Sequence, residues 1–346
     1  MPQQYPEATV LENTGVEEQK ALKYAKRGIA LALLSGFIFS LDGFFAGLSH
    51  SHPPFNDSRL FLLVPLFCAG IHDFCAALVT SSLNWKAGLI REVGRSIVSK
   101  PGRFVLAGAF LGSIFGMGGY MAAIQMAGPA YVLPITSLYP AAGAVLAVLV
   151  LKEKVSLRAW AGLAMCVSGA ILIGYTKPDG QNSELFYWGL LFAALAALGW
   201  GTEGVLATSG MDFIEPTVAL NIYHIVSASL YLGVIIPLAS YLLIPEGQIM
   251  ETLSRFLHSG GLLFVAGAGI MGSLSYRCWY KALNMTGVSR AMALNITYAF
   301  WGIALSFVFT EVQITMFLLT GALVIFGGMF LVIGNPKDML NLRKTG

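Results

Sequence analysis

The chain has 346 residues, of which 56% are hydrophobic and only 11% charged, for a formal net charge of +3. Mean hydropathy is +0.71. Soluble domains carry about 25% charged residues, so this composition excludes a water-soluble globular protein and specifies a polytopic membrane protein.

The first twenty residues are polar and include Glu17 and Glu18. This is not a cleavable signal, and the first apolar helix is expected to direct its own insertion. Ten apolar runs then follow that are long enough, or nearly so, to span about 30 Å of hydrocarbon. The first five fall near 28–48, 60–83, 104–126, 130–151 and 157–175. The second five fall near 185–207, 218–244, 261–283, 292–309 and 315–333. Gly128-Pro129 separates the third run from the fourth, and Pro129, Pro134 and Pro140 predict a kinked fourth helix. The longest loop is expected over 84–103. No Walker motif is present, and no stretch could form a soluble catalytic domain.

Charge is lopsided along the chain. With the N-terminus in the cytoplasm, the inner side collects 18 of the 21 Lys and Arg residues. Only Arg59, Lys177 and Arg255 then lie outside. The positive-inside rule therefore places both termini in the cytoplasm, as an even number of spans requires. The four cysteines Cys68, Cys75, Cys166 and Cys278 lie within apolar runs without a CxxC pair, so no disulfide framework is expected.

The halves repeat each other at an offset of about 160 residues. Asp42-Gly43 corresponds to Glu203-Gly204, Tyr120 to Tyr280, and Tyr139 to Tyr298. Gly162 and Gly169 correspond to Gly321 and Gly328. A unit with an odd number of spans must re-enter the membrane inverted, an arrangement that recurs in secondary transporters with a midplane site. The expected plan is all-α: a cytoplasmic tail (1–27), two inverted five-helix repeats (28–176 and 185–334) and a second cytoplasmic tail (335–346). Gly108, Gly112 and Gly116 form a small-xxx-small ridge for close helix approach.

Two carboxylates occupy matching places in these runs. Asp42 follows Phe39 by three residues, and Glu203 follows Trp200 by three. A charged side chain at the centre of a membrane helix costs about 2.5–3.5 kcal/mol on insertion scales, so such groups mark function. Positions three apart share a helical face. An acid beside an aromatic ring therefore predicts a site for an organic cation, since rings attract cations by about 0.5–2 kcal/mol. For Glu203 the competing reading is a protonated acid hydrogen-bonded to a neighbouring helix. Asp42 reads as a second substrate acid, a proton-carrying group or a structural contact.

His72-Asp73 lies in the second run. Adjacent residues point about 100° apart, so the two are not expected to pair with each other; a proton relay and a structural contact both remain open. His224, near Asn221, carries the same two readings more weakly, with the structural contact favoured. Tyr139 and Tyr298, with Trp301 three residues on, supply further aromatic walls. Arg277 and Lys281 are expected to snorkel toward the cytoplasmic interface. His50 and His52 have a nominal metal-ligand spacing but no further ligand nearby, so no metal site and no cofactor is expected.

At these residues the sequence resembles the drug/metabolite transporter (EamA-like) superfamily. The likeness covers nearly all of 28–334, including a proline-rich helix leading through Lys152-Glu153-Lys154 to a glycine-bearing fifth helix. Within it the chain is most similar to the bacterial choline-uptake branch. The motifs are Trp200-Gly201-Thr202-Glu203, His72-Asp73-Phe74, Tyr139-Pro140 and Asn295-Ile296-Thr297-Tyr298-Ala299-Phe300-Trp301. Two positions depart from that pattern: Phe39 stands where tryptophan is expected, and Asp42 where a small neutral residue is expected.

The resemblance implies proton-coupled uptake of choline or a related organic cation across the bacterial inner membrane, with protons and the lipid bilayer as partners. Taken with the residue readings above, the expected substrate contacts are Trp200, Glu203, Tyr139, Tyr298, Trp301 and Phe39, and the expected proton-coupling groups are Asp42, His72, Asp73 and Glu203. The superfamily alternative is an exporter of amino acids, metabolites or cationic drugs. An integral membrane enzyme would need catalytic groups at the interface and a phosphate-binding cluster, neither of which the pattern supplies. No nucleic-acid partner is expected.

Overall fold

The computed structural model describes residues 7–151, 157–175, 183–286, 288–310 and 314–333. Lys152-Glu153-Lys154, Lys177 and the tail from 335 lie outside the described residues. Among those described every regular element is helical.

α1 (Glu7–Ser49) begins well ahead of the first apolar run, so much of the expected N-terminal tail is helical. α2 (Leu63–Lys86) is followed by the short α3 (Ile90–Ile97). The stretch expected as the longest loop is therefore mostly helix. Its residues Arg91, Glu92 and Arg95 are exposed while Val93 and Ser96 are buried, an amphipathic pattern that the eight-residue span makes easy to miss.

α4 (Lys100–Leu111) starts on a Ser99 cap, whose hydroxyl accepts from Gly102 N at 3.0 Å. It continues through a π-helical turn (Gly112–Gly118) into α5 (Gly119–Ala127). The fourth run is two helices, α6 (Pro129–Thr136) and α7 (Tyr139–Leu151). Pro140 lacks the N–H that would continue α6, so the chain breaks at Ser137-Leu138. α8 (Leu157–Gly174) completes the first half.

The second half follows the same order. It comprises α9 (Ser183–Gly210), α10 (Pro216–Leu230), a π turn (Tyr231–Ile235), α11 (Ile236–Leu243) and the short α12 (Ile249–Leu257). Then come α13 (Gly261–Thr286), α14 (Val288–Asn295), α15 (Thr297–Phe309) and α16 (Met316–Ile333). The ninth run breaks at Ile296, at the place matching Ser137 in the fourth. Among the described residues, six helices are long and apolar enough to cross a membrane by length and composition. The other four expected runs are helical in shorter or broken pieces.

The pairings come in matched sets. α1 packs on α13, and its counterpart α9 packs on α4 and α5. α7 packs on α9 and its counterpart α15 on α1, while α2 pairs with α10 and α8 with α16. At the last pair a Cβ on Gly169 would meet the Gly321 carbonyl oxygen at 2.6 Å, and a Cβ on Gly328 would meet the Gly162 oxygen at 2.6 Å. A two-fold exchange of Gly162 with Gly321 and Gly169 with Gly328 turns one contact into the other. The glycines allow the two backbones to touch along an antiparallel crossing.

Candidate functional site

The Gly108–Gly116 ridge seats α9. A Cβ on Gly112 would meet Glu203 Cγ at 2.7 Å, and one on Gly116 would meet Trp200 Cδ1 at 2.6 Å. Bare backbone at these positions is what lets Trp200 and Glu203 press against span three, beside its π turn. Such turns occur often at functional sites.

Trp200 closes one side of a small cavity between the halves. Six rings wall it: Phe39, Tyr139, Trp200, Tyr276, Trp279 and Tyr298. Phe39 meets Trp200 edge-on at 5.5 Å and Tyr298 edge-on at 5.0 Å. Trp279 stands 5.9 Å from Tyr139 and 5.2 Å from Tyr276. All six are at most 5% exposed. The remaining lining side chains are Ser35, Ser275 and Asn295, and none is Lys or Arg. Tyr139 and Tyr298 sit just past the two helix breaks, so the interruptions aim one tyrosine from each half at the centre. Broken helices facing each other at midplane depth are a recurrent way of building a transport site.

Neither carboxylate lines this cavity. Glu203 is fully buried, and its Oε1 accepts the Tyr280 hydroxyl while Oε2 has no hydrogen-bond partner. Tyr280 had been matched to Tyr120 as a repeat position; its contact with Glu203 was not foreseen. Asp42 belongs to a different cluster. Its Oδ2 lies 2.9 Å from His72 Nε2, and His72 Nδ1 lies 2.9 Å from Asp73 Oδ1. The imidazole thus bridges two buried acids, contrary to the expectation that His72 and Asp73 would not pair. Both side chains turn into one polar gap between α1, α2 and α10, and their length overcomes the 100° between their helical positions. Ser227 donates to Asp73 Oδ2, and His224 Nδ1 stands 3.5 Å from Asp73 Oδ1. His224 is therefore part of the cluster.

Trp301 is not at the cavity. It is 40% exposed and packs edge-on against Phe37 at 5.3 Å and Phe300 at 5.6 Å. Three residues turn a helix by about 300°, which leaves Trp301 on the flank when Tyr298 points inward. Ser35, Ser275, Tyr276 and Trp279 were not singled out in the sequence. The available signal was the three-residue spacing of Tyr276 and Trp279, the same as in the two acid–aromatic pairs.

In the loop between α1 and α2, Asp57 accepts from Arg59 Nη2 at 3.0 Å and Nε at 3.1 Å, and Arg255 Nη2 lies at 3.4 Å. The Arg59 guanidinium holds the Asp57 carboxyl down at about 2. His50 and His52 place Nδ1 at 3.3 Å from the Phe55 and Leu48 carbonyl oxygens, respectively. Burial lowers the His50 imidazole from its ordinary 6.5.

Apolar helices around a buried aromatic cavity, two of them broken beside it, define a membrane carrier of small molecules rather than an enzyme. The chain belongs to the EamA-like transporter family, within the drug/metabolite transporter superfamily, which matches it twice, at residues 26–175 and 187–334. It is 28% identical over 315 residues to Protein LicB of Haemophilus influenzae, covering 89% of this chain and 97% of that protein. A solved structure titled "Crystal structure of protein" shares the fold with a TM-score of 0.55 at 18% identity, covering 87% of this chain and 96% of its own.

Proposed function

We propose that this transporter takes up choline or a related small organic cation, coupled to protons, by alternating access. It would sit in a bacterial inner membrane as ten spans in two inverted repeats, 28–176 and 185–334, with both terminal tails cytoplasmic. The observation that carries the reading is the box of six rings with no lysine or arginine among its lining. An ammonium that has lost its water is held there by ring faces, each worth about 0.5–2 kcal/mol.

Roles divide by position. Phe39, Tyr139, Trp200 and Tyr298 contact the cation, and Glu203, one turn from Trp200, supplies the countercharge. Asp42, His72 and Asp73 hold the coupling proton: an imidazole between two carboxylates can take a proton from one and pass it to the other. Labelled choline uptake by the purified protein in proteoliposomes is the test. Accumulation that rises with an imposed pH gradient is expected. Uptake indifferent to that gradient removes proton coupling, and transport of an amino acid in preference to choline overturns the substrate.

A further inference from the structure

One end of the aromatic cavity is polar, and its hydrogen bonds run as a directed chain. Asn295 Nδ2 donates to Ser35 Oγ at 2.8 Å. Ser275 Oγ donates to the Ser35 carbonyl at 2.9 Å, so in the 3.0 Å contact between the two hydroxyls Ser35 is the donor. Tyr139 donates to Asn295 Oδ1 at 2.8 Å and fixes the amide's orientation. All four residues are buried and line the cavity. An amide nitrogen has two N–H groups, and hydroxyl and amide oxygens each have two lone pairs. After the internal bonds are made, one Asn295 N–H and a lone pair on Ser35, Ser275 and Asn295 Oδ1 remain uncommitted.

The duplicated architecture sharpens the point. At the same offsets in the other half, Ser35, Ser275 and Asn295 correspond to Ala196, Phe115 and Thr136. Two of those three are apolar. The polar end thus occurs once, in a cavity where Tyr139 and Tyr298 are repeat counterparts.

We propose that Ser35, Ser275 and Asn295 form a specificity pole for the hydroxyl of an amino alcohol. The ammonium sits among the rings, and the hydroxyl, which both donates and accepts, satisfies the uncommitted donor and acceptors together. A carboxylate would find a single N–H, three oxygens' worth of repelling lone pairs and no cation. A methyl group would leave the pole's groups without partners. The pole therefore selects against zwitterions and against simple alkylammonium ions. The proposal rests on the organic-cation reading and adds which end of the substrate is read, and by what.

The test is equilibrium binding to the purified protein of choline, ethyltrimethylammonium (hydroxyl replaced by hydrogen) and glycine betaine. One hydrogen bond is worth roughly 1 kcal/mol net, so choline should bind about five- to tenfold more tightly than ethyltrimethylammonium. Ser35→Ala and Ser275→Ala, small changes that need no repacking, should shrink that ratio toward one, because the hydroxyls that tell the two ligands apart are gone. Glycine betaine should bind weakest. Equal choline and ethyltrimethylammonium affinities in the wild type, or a ratio unaltered in both variants, overturns the pole while the cation reading stands. Binding of none of the quaternary amines removes both.

Discussion

The Tyr139 hydroxyl donates to Asn295 Oδ1 at 2.8 Å, across the boundary between the two halves. Its repeat counterpart, Tyr298, donates to Thr136 Oγ1 at 3.2 Å, in the opposite direction across the same boundary. Thr136 is the position that corresponds to Asn295. The pair of bonds is thus one contact made twice, with the acceptor changed. Each links the residue after one helix break to the turn before the other, so the two broken helices lock to each other beside the cavity.

The changed acceptor makes the two bonds unequal. Thr136 Oγ1 also donates to the Leu133 carbonyl at 3.1 Å and keeps that bond if Tyr298 loses its hydroxyl. Asn295 Oδ1 has Tyr139 as its donor. Leaving a buried acceptor unsatisfied costs about 1–3 kcal/mol. Tyr139→Phe should therefore lower thermal stability in detergent, and weaken substrate binding, more than Tyr298→Phe. The reverse order would show that the tyrosines act through ring contact alone.

Glu203→Gln should reduce uptake by about a hundredfold or more while the protein is still made and folded. The amide oxygen can still accept from Tyr280, so the packing against Gly112 survives. What is lost is the countercharge for a desolvated cation. Wild-type-like uptake by this variant, at equal protein levels, would refute Glu203 as the substrate's acid.

His72 is the bridge between Asp42 and Asp73, all three fully buried. Removing one partner of a buried ionic set costs about 3–5 kcal/mol, because uncompensated charge stays behind. His72→Ala should accordingly be poorly stable. Asp42→Asn keeps a hydrogen-bonding partner for His72 and should fold. In Asp42→Asn, counterflow of labelled substrate should persist while pH-driven accumulation disappears. If gradient-driven accumulation is intact there, Asp42 does not carry the proton.

The α8–α16 crossing predicts matched effects in two distant stretches of sequence. A Cβ at Gly169 or at Gly328 would stand 2.6 Å from the opposing backbone oxygen. Overpacking of this kind costs about 1–3 kcal/mol. Gly169→Ala and Gly328→Ala, which the two-fold exchanges, should lower the melting temperature by similar amounts. A clear effect of one without the other would break the two-fold relation between those helices.

Asp57 offers a pH signature outside the membrane. Its carboxyl is held at about 2, below the ordinary 3.8, by the Arg59 guanidinium. A lowered acid contributes stability that is present above its unfolded value and lost as pH falls through its folded value. The melting-temperature difference between wild type and Asp57→Asn should be small at neutral pH, and it should close between about pH 4 and pH 2. A difference that grows on acidification would mean the Asp57 carboxylate does not stabilise the loop between α1 and α2.

Much of the architecture was legible because hydropathy and repetition are local. Runs of apolar residues must become helices in hydrocarbon, where every backbone group needs an internal partner. The proline-marked break before Tyr139 could be read directly, whereas the break before Tyr298 carries no proline and was visible only through the repeat. The short helix at Ile90–Ile97 was hidden because eight residues give too little period to detect. Trp301 was misplaced for a related reason: a three-residue spacing specifies a neighbouring face, and which face points inward depends on the helix's rotation.

By itself, the sequence determined that this is a membrane protein of apolar helical runs, duplicated at an offset of about 160 residues, with acids that burial must either neutralise or employ. Tertiary structure decided that Ser35, Ser275, Tyr276 and Trp279 share a cavity with Phe39 and Trp200, that His72 joins Asp42 to Asp73, and that Trp301 faces away. The physical reason is the range of the forces. Composition and periodicity act along a few turns of one helix. A cavity is set by how helices far apart in the chain rotate, cross and break against one another, and these relations have no local period to betray them.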